Sequence, residues 1–207
     1  MKKNLFITLH LIIVFVSGVF AQERFIPGFK LGIATTQVDG DTYKGYKKAG
    51  FIGGVTLTTK INEKWSSQFE IFYIQKGSRH NGNPDENDYS FFLMRLNYIE
   101  VPILFQYTQK KFTFDLGPGF AYLISAKEWN ELGVMNGNQA FYNYEINGNL
   151  GLNYTIIKNL SVSWRFSYSL LPIRQFISGE SYWFNPGQKN NLLSFTLTYK
   201  LARAKSE

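Results

Sequence analysis

The amino-acid sequence predicts an all-β protein: an eight-stranded antiparallel up-and-down transmembrane β-barrel preceded by a cleaved signal peptide. Three observations predict it: segments in which apolar and polar residues alternate, an even number of such segments, and connections that are long and short in turn. The alternation is clearest from Leu160 to Leu171, where four serines and Arg165 separate aliphatic and aromatic residues. Such an apolar face suits lipid, and such a polar face suits a wet or polar lumen.

Residues 1–21 have the pattern of a secretory signal peptide. Lys2 and Lys3 precede a mostly apolar run, which ends in small or β-branched residues around Ala21. A membrane-spanning helix is the alternative, but the run contains polar side chains and is shorter than the roughly 20 residues that a span requires. We therefore predict cleavage after Ala21 and a single outer-membrane β-barrel domain over residues 22–207.

Charge and cysteine content exclude several classes of protein. Loss of Lys2 and Lys3 lowers the 22 basic residues to 20 against 15 acidic ones, which leaves a mild net charge of about +5. The basic residues are scattered and no nucleic-acid motif organises them, so we expect no nucleic-acid partner. Cysteine is absent, which excludes disulfides and thiolate metal sites. No later apolar run is long enough for a helical span, so any crossing of a membrane must use strands.

Eight predicted strands follow one another along the chain. They cover residues 29–36, 50–61, 65–76, 91–107, 112–122, 142–153, 160–171 and 192–201. Short turns at 62–64, at 109–111 and just before Leu160 alternate with long polar loops at 37–49, 77–90, 126–140 and 172–191. Bacterial outer-membrane barrels have short periplasmic turns and long outer loops, so we expect both termini in the periplasm.

Most of these strands have one apolar and one polar face. In chain order, apart from the fourth and seventh strands, the apolar faces comprise Phe29, Leu31 and Ile33; Phe51, Val55, Leu57 and Ile61; Phe69, Ile71 and Tyr73; Phe112, Phe114, Leu116, Phe120 and Tyr122; Tyr142, Tyr144, Ile146, Leu150 and Leu152; and Leu193, Phe195, Leu197, Tyr199 and Leu201. A secreted lipocalin-like ligand-binding barrel is the alternative, with these faces inside. Aromatic residues at the strand ends favour a membrane barrel, because they match its two interfacial girdles. They are Trp65, Tyr107, Phe112, Tyr154 and Tyr199 at one end, and Tyr73, Tyr122, Tyr142 and Tyr168 at the other.

The fourth strand keeps its alternation only in two halves. Leu96 and Tyr98 share one phase, whereas Ile99 and the apolar residues that follow share the opposite one. A one-residue slip of phase is typical of a β-bulge, and Pro102 lacks the N–H group that a regular ladder uses. We therefore predict a bulge or register break between Asn97 and Pro102.

The same strand resembles a known family. Leu96-Asn97-Tyr98-Ile99-Glu100-Val101-Pro102-Ile103-Leu104 is similar to the Tyr-Leu-Glu-Ile-Pro-Leu core of the PorT-type outer-membrane β-barrel family, and Phe29–Gly32, Tyr73–Gly77 and Gly117–Leu123 resemble its first, third and fifth strands. The resemblance implies an eight-stranded barrel in the bacterial cell outer membrane, in bacteria that use type IX secretion. We expect contact with outer-membrane lipid and lipopolysaccharide, and with other envelope proteins.

The expected role is structural or binding, through the extracellular loops, accessory to secretion or cell-surface assembly and without an open pore. Conducting porins have about 16–18 strands, and an eight-stranded barrel has no room for a channel. The aromatic loop residues Trp129, Phe141, Trp183 and Phe184 suit either adhesion or packing of the loops against one another, and we favour packing.

An outer-membrane lipid-modifying enzyme is the main competing class, and it would need a nucleophile and a base. The histidine of the mature chain, His80, lies in a polar loop with Ser78, Asp85 and Asp88 nearby in sequence, and nothing visible positions them for catalysis. The carboxylates of Asp85, Glu86 and Asp88 offer ligands for a cation, but a solvated acidic loop is the simpler interpretation. We predict that the protein is not an enzyme and has no cofactor or metal site.

Charged residues on the polar faces predict ion pairs inside the barrel. Sorted by depth, Lys30, Lys60, Asp115 and Lys200 fall near the periplasmic end, Glu70 and Arg165 near the middle, and Lys76, Arg95 and Glu145 near the outer end. A buried unpaired charge costs several kcal/mol, so we predict pairs within each level. The predicted pairs are Asp115 with Lys30 or Lys200, Glu70 with Arg165, and Glu145 with Arg95. Barrel shear shifts the levels by a few residues, so exchange of partners within a level or between adjacent levels is also expected. Such an interior is a plug of paired charges and not a pathway.

Overall fold

The computed structural model describes residues 25–43, 45–135, 139–175 and 187–201. The predicted signal peptide and the loop residues Trp183 and Phe184 lie outside the described residues. The strands are β1 (Phe25–Asp39), β2 (Lys48–Lys60), β3 (Trp65–Asn81), β4 (Phe91–Gln109), β5 (Phe112–Asn130), β6 (Gly133–Val134), β7 (Tyr144–Ile157), β8 (Leu160–Ser169) and β9 (Lys189–Lys200), with one 3-10 turn at Pro84–Glu86. No helix in the described part of the chain is long and apolar enough to cross a membrane.

The strands close into an eight-stranded antiparallel barrel. Apart from β6, strands adjacent along the chain pair with each other, and β5 pairs with both β4 and β7. β6 is a two-residue strand that folds back on the outer end of β5 and lies outside the ring. β1 pairs with β9 from Gly28 opposite Lys200 to Asp39 opposite Lys189, which confirms the predicted closure.

The two faces of β8 point as the sequence predicts. Trp164 is 45% exposed on the outside of the barrel, whereas Arg165 and Ser167 are buried inside it. On β1, Leu31 is 59% exposed and its neighbour Lys30 is buried. The apolar face is therefore outside and the polar face inside, which is the arrangement of a transmembrane barrel and the reverse of a lipocalin-like one.

Aromatic pairs mark the periplasmic ends of the strands. The rings of Trp65 and Tyr107 lie 4.9 Å apart, and those of Phe112 and Tyr154 lie 5.1 Å apart, in each case between strands joined by a ladder. All four residues lie beside short turns, as expected for an interfacial girdle.

β4 differs in part from the prediction. Its side chains alternate without interruption, with Leu96, Tyr98 and Glu100 inside and Ile99 outside, and its register with β3 is constant. A register shift does occur beside Asn97, but in the pairing with β5, where Ile124 is the extra residue. The predicted position of the register break is confirmed, and the predicted slip of phase in β4 is wrong.

An apolar cluster inside the barrel explains that error. The cluster fills the outer half of the lumen and contains Ala34, Val38, Ile52, Phe72, Ile74, Phe92, Met94, Leu96, Tyr98, Ala121, Ile173 and Leu192. The large apolar residues of β4 therefore face mainly the lumen in the outer half of the strand and mainly the lipid in the periplasmic half, where Leu104 is an exception. When the apolar residues change from one face of a strand to the other, the sequence shows the same pattern as a bulge.

β3, β4 and β5 are the longest strands, with 17, 19 and 19 residues against 10 in β8 and 12 in β9. Since each strand residue adds about 3.3 Å, this part of the wall projects beyond the rest at the outer end. Two of the predicted loops, 77–90 and 126–140, are therefore partly strand.

Candidate functional site

A four-residue ion cluster occupies the middle of the lumen. Glu70 accepts from Lys30 Nζ at 2.7 Å and from the two terminal nitrogens of Arg165 at 2.8 and 3.0 Å. Arg165 also lies 3.3 Å from Asp115, and Gly151 leaves the space that the Asp115 carboxylate occupies. All four charged residues are buried. The cluster holds two cations and two carboxylates, so its formal charge is zero.

The predicted pair of Glu70 and Arg165 is therefore present, whereas Lys30 pairs with Glu70 and not with Asp115. Two levels that the sequence kept apart meet in one cluster. Strands of a closed barrel are tilted and staggered, so equal distances along two strands are not equal heights in the barrel.

A second cluster lies nearer the outer end. Lys76 Nζ lies 2.7 Å from Glu100 and 3.0 Å from Glu145, and Glu145 also accepts from Ser169 and Asn190 at 2.8 Å each. The prediction that Glu145 pairs with Arg95 is wrong, because Glu145 pairs with Lys76. Because β4 alternates without a slip, Arg95 points outward and is exposed.

Arg174 closes the outer end of the lumen. Its guanidinium forms a bidentate pair with Glu128 at 2.7 and 2.9 Å, donates to Gln188 at 2.9 Å and lies 4.1 Å from the centroid of the Phe141 ring. Bidentate pairs of this kind are among the strongest that side chains form. The preceding residue, Ile173, is fully buried in the apolar cluster. Ile173 and Arg174, in the described part of the connection after β8, thus lie over the barrel mouth.

Little space is left between these clusters. An enclosed cavity lined by Lys30, Glu100, Arg165 and Leu192 measures about 10 Å³, which is close to the space that one water needs. Paired charges and apolar side chains therefore fill the barrel from its middle to the level of Ile173, and a cavity of about 280 Å³ lies at the outer mouth, lined in part by Phe92, Glu128 and Arg174.

At the periplasmic end the predicted pairing fails. Lys200 and Lys60 line an open cavity there, and neither lies within ion-pair distance of a carboxylate in the described ranges. Asp115, which the sequence offered as a partner for Lys200, is turned toward Arg165.

His80 does not form a catalytic triad with its neighbours. A triad places the imidazole between the hydroxyl and the carboxylate. Here Asp88 lies between Ser90 and His80, at 2.6 and 2.9 Å, and Ser78 is buried on the lumen side. Hydrogen bonds from the Ser90 side chain, from the Ser90 backbone and from His80 lower the pKa of Asp88 to about 2. No group of three or more metal-ligating side chains is placed to hold an ion within the described residues.

The projecting wall carries a basic surface. Arg95 and Lys127 face each other on β4 and β5, with Gly77 beside them on β3, and Arg79 lies one row further out. We call Arg79, Arg95 and Lys127 the basic rim. All three are exposed, and the Arg95 guanidinium lies 5.5 Å from the centroid of the Trp129 ring.

The basic rim lies directly above the apolar band. The apolar row just below the basic rim contains Tyr73, Ile99 and Tyr122, and Leu93 and Trp129 lie level with Arg79 above it. A polar row follows, in which Asn97 accepts from Tyr73 at 3.0 Å and donates to Ser125 at 2.7 Å. The basic rim begins in the next row, which is the height of the outer-leaflet headgroups if Tyr73 and Tyr122 mark the interface.

The family of the chain follows from comparison with known sequences. The sequence model of the family described as outer membrane protein beta-barrel domain matches residues 20–175. The chain belongs to this family. It is a small eight-stranded β-barrel of the bacterial outer membrane. No curated protein sequence matches the chain.

Solved structures agree with the family. The attachment invasion locus protein Ail of Yersinia pestis is 14% identical, with a TM-score of 0.51, over 86% of this chain and 99% of Ail. Its complex with the heparin analogue sucrose octasulfate gives a TM-score of 0.50 at the same identity and coverage. Neisserial surface protein A is 13% identical with a TM-score of 0.48, over 86% of this chain and 96% of that protein. At these identities the likeness concerns the fold.

Proposed function

We propose that this protein is a closed barrel that binds partners at its outer rim and transports nothing through its lumen. The filled lumen, with Arg174 folded over its mouth, is the observation that carries the proposal. The exposed, projecting wall of β3, β4 and β5 is then the surface that the fold offers to ligands.

We also propose that the protein is of the PorT type and acts as an accessory to secretion or cell-surface assembly. The motif from Leu96 to Leu104 supports this, and its charged residue has a structural task. Glu100 faces the lumen and pairs with Lys76, and Pro102 lies on the same inner face.

The proposed ligand class of the basic rim is the phosphorylated glycolipid of the outer leaflet, lipopolysaccharide. Arg79, Arg95 and Lys127 are exposed above the row of Tyr73 and Tyr122, and guanidinium groups match phosphate geometry. Ail, which has a similar barrel fold, binds the polysulfated sugar sucrose octasulfate. Other envelope proteins are the second partner class, through the rest of the projecting wall.

Catalysis is no part of the proposed function. The carboxylate of Asp88 lies between the hydroxyl of Ser90 and the imidazole of His80, so the imidazole is not set to accept a proton from that hydroxyl.

Replacing Arg95 and Lys127 by Gln tests the proposed ligand. We expect the wild-type protein to bind lipopolysaccharide in phosphatidylcholine nanodiscs, and the double variant to bind about 5- to 30-fold more weakly. This range corresponds to about 0.5–1 kcal/mol for each exposed charge contact. Lys110→Gln with Lys111→Gln removes the same charge at the periplasmic β4–β5 turn and should leave the affinity unchanged. Equal losses in both variants, or none in either, would count against the proposal.

A further inference from the structure

The described residues leave the periplasmic end of the barrel open, with a larger cavity than at the outer end. A cavity of about 600 Å³ lies inside the ring there, bounded by the ends of the strands and by the turns after β2 and β7. We call it the vestibule. Its inner end is closed by Ser66 and Gln106, whose side chains are hydrogen bonded at 3.2 Å, and by the ion cluster beyond them.

Four lysines line the vestibule, and they come from different parts of the ring. Lys60 ends β2 and Lys64 lies in the turn after it, whereas Lys158 lies in the β7–β8 turn and Lys200 ends β9. Glu63 is the one carboxylate among the described lining residues. None of the four lysines lies within ion-pair distance of a carboxylate in the described part of the chain.

The rest of the wall combines hydrogen-bonding groups with three apolar side chains, Ile26, Trp65 and Leu201. Thr58, Thr108, Thr113 and Thr155 contribute hydroxyl groups, and Asn62 and Asn159 contribute amides. Unpaired cations grouped inside a protein wall repel one another, and a bound anion relieves that repulsion. The vestibule therefore has the charge and the hydrogen-bonding groups of an anion site.

We propose that the vestibule binds an acidic peptide segment of a periplasmic partner. A single phosphate or carboxylate is too small to contact lysines spread over both sides of a cavity of this size, whereas an extended chain with several carboxylates reaches them. Phospholipid headgroups lie against the outer surface of the barrel, and the vestibule opens inside the ring toward the periplasm. The site is at the opposite end from the basic rim and does not depend on it.

The test uses a fluorescein-labelled octaglutamate peptide and the full-length mature barrel in phosphatidylcholine nanodiscs, which leave both ends accessible. We expect saturable binding that weakens as salt rises. Lys60→Gln with Lys200→Gln should lower the affinity by about tenfold or more, through loss of two charge-assisted contacts. Lys64→Gln with Lys158→Gln changes only turn residues and should lower the affinity to a similar extent. It keeps the test possible if the strand-end variant folds poorly.

Two control variants separate this site from other basic surfaces. Lys110→Gln with Lys111→Gln removes the same charge at the same end but outside the vestibule, and Arg95→Gln with Lys127→Gln removes it from the basic rim. Both should bind the peptide as the wild type does. Equal loss in the Lys110 and Lys111 variant would overturn the proposal, as would unchanged binding in both vestibule variants. Competition by inorganic phosphate or phosphatidylglycerol headgroup at the peptide's own affinity would overturn the peptide class.

Discussion

Replacing Glu70 by Gln should lower the free energy of unfolding by about 3–5 kcal/mol, the cost of breaking a buried ion pair from one side. Glu70 alone contacts both Lys30 and Arg165, so its loss leaves two buried cations with one carboxylate, Asp115, between them. Urea-dependent folding into phosphatidylcholine vesicles, followed by tryptophan fluorescence, measures the change.

A second variant separates charge imbalance from loss of hydrogen bonds. Lys30→Met combined with Glu70→Gln leaves Arg165 paired with Asp115, so the middle cluster is again neutral. The double variant should therefore be markedly more stable than Glu70→Gln alone. If the two losses simply add, or if Glu70→Gln costs nothing, the middle cluster does not hold the lumen together.

Replacing Phe195 by Arg should cost about 2–4 kcal/mol, as expected for a cation placed near the bilayer midplane on the lipid face. Phe195 is 49% exposed on the outside of the barrel, between Ile33 on β1 and Trp164 on β8. The same vesicle-folding measurement applies.

Tyr199 provides the matched control for this substitution. It is an aromatic residue on the same face of the same strand, 46% exposed, and lies in the periplasmic girdle. Tyr199→Arg should cost only about 0–1 kcal/mol, because the charge reaches the headgroups. Equal costs at the two positions would mean that β9 does not cross the bilayer with this face toward lipid.

Sequence was sufficient for strand number, strand order and the faces of most strands. In β8 a two-residue period places Trp164 and Arg165 on opposite faces, and any shift by one residue would expose the whole polar set. In β4 the assumed slip placed Arg95 in the lumen, whereas the two-residue period carried back from Ile99 without a slip places Arg95 on the outside, where it lies. An apolar lumen imitates a bulge in sequence, and only the packed structure separates the two.

The heights of the lumen side chains along the barrel axis, and the contacts of the loops, could not be predicted in the same way. Shear and tilt decide that Lys30 meets Glu70 and that Asp115 meets Arg165, and neither is encoded in one strand alone. Arg174 follows Pro172 and Ile173 in a segment without periodicity, and its partner Glu128 is 46 residues away in the chain. No local signal in the sequence indicates that contact.

The central claim, a barrel closed to transport, is tested most directly by its ionic conductance in a planar lipid bilayer. The purified wild-type protein, shown by heat-modifiable electrophoretic mobility to be folded, should insert without producing conductance steps at any holding voltage. Stable ohmic steps whose size rises with salt concentration would show an open pathway past Glu70 and Arg174 and would contradict the claim.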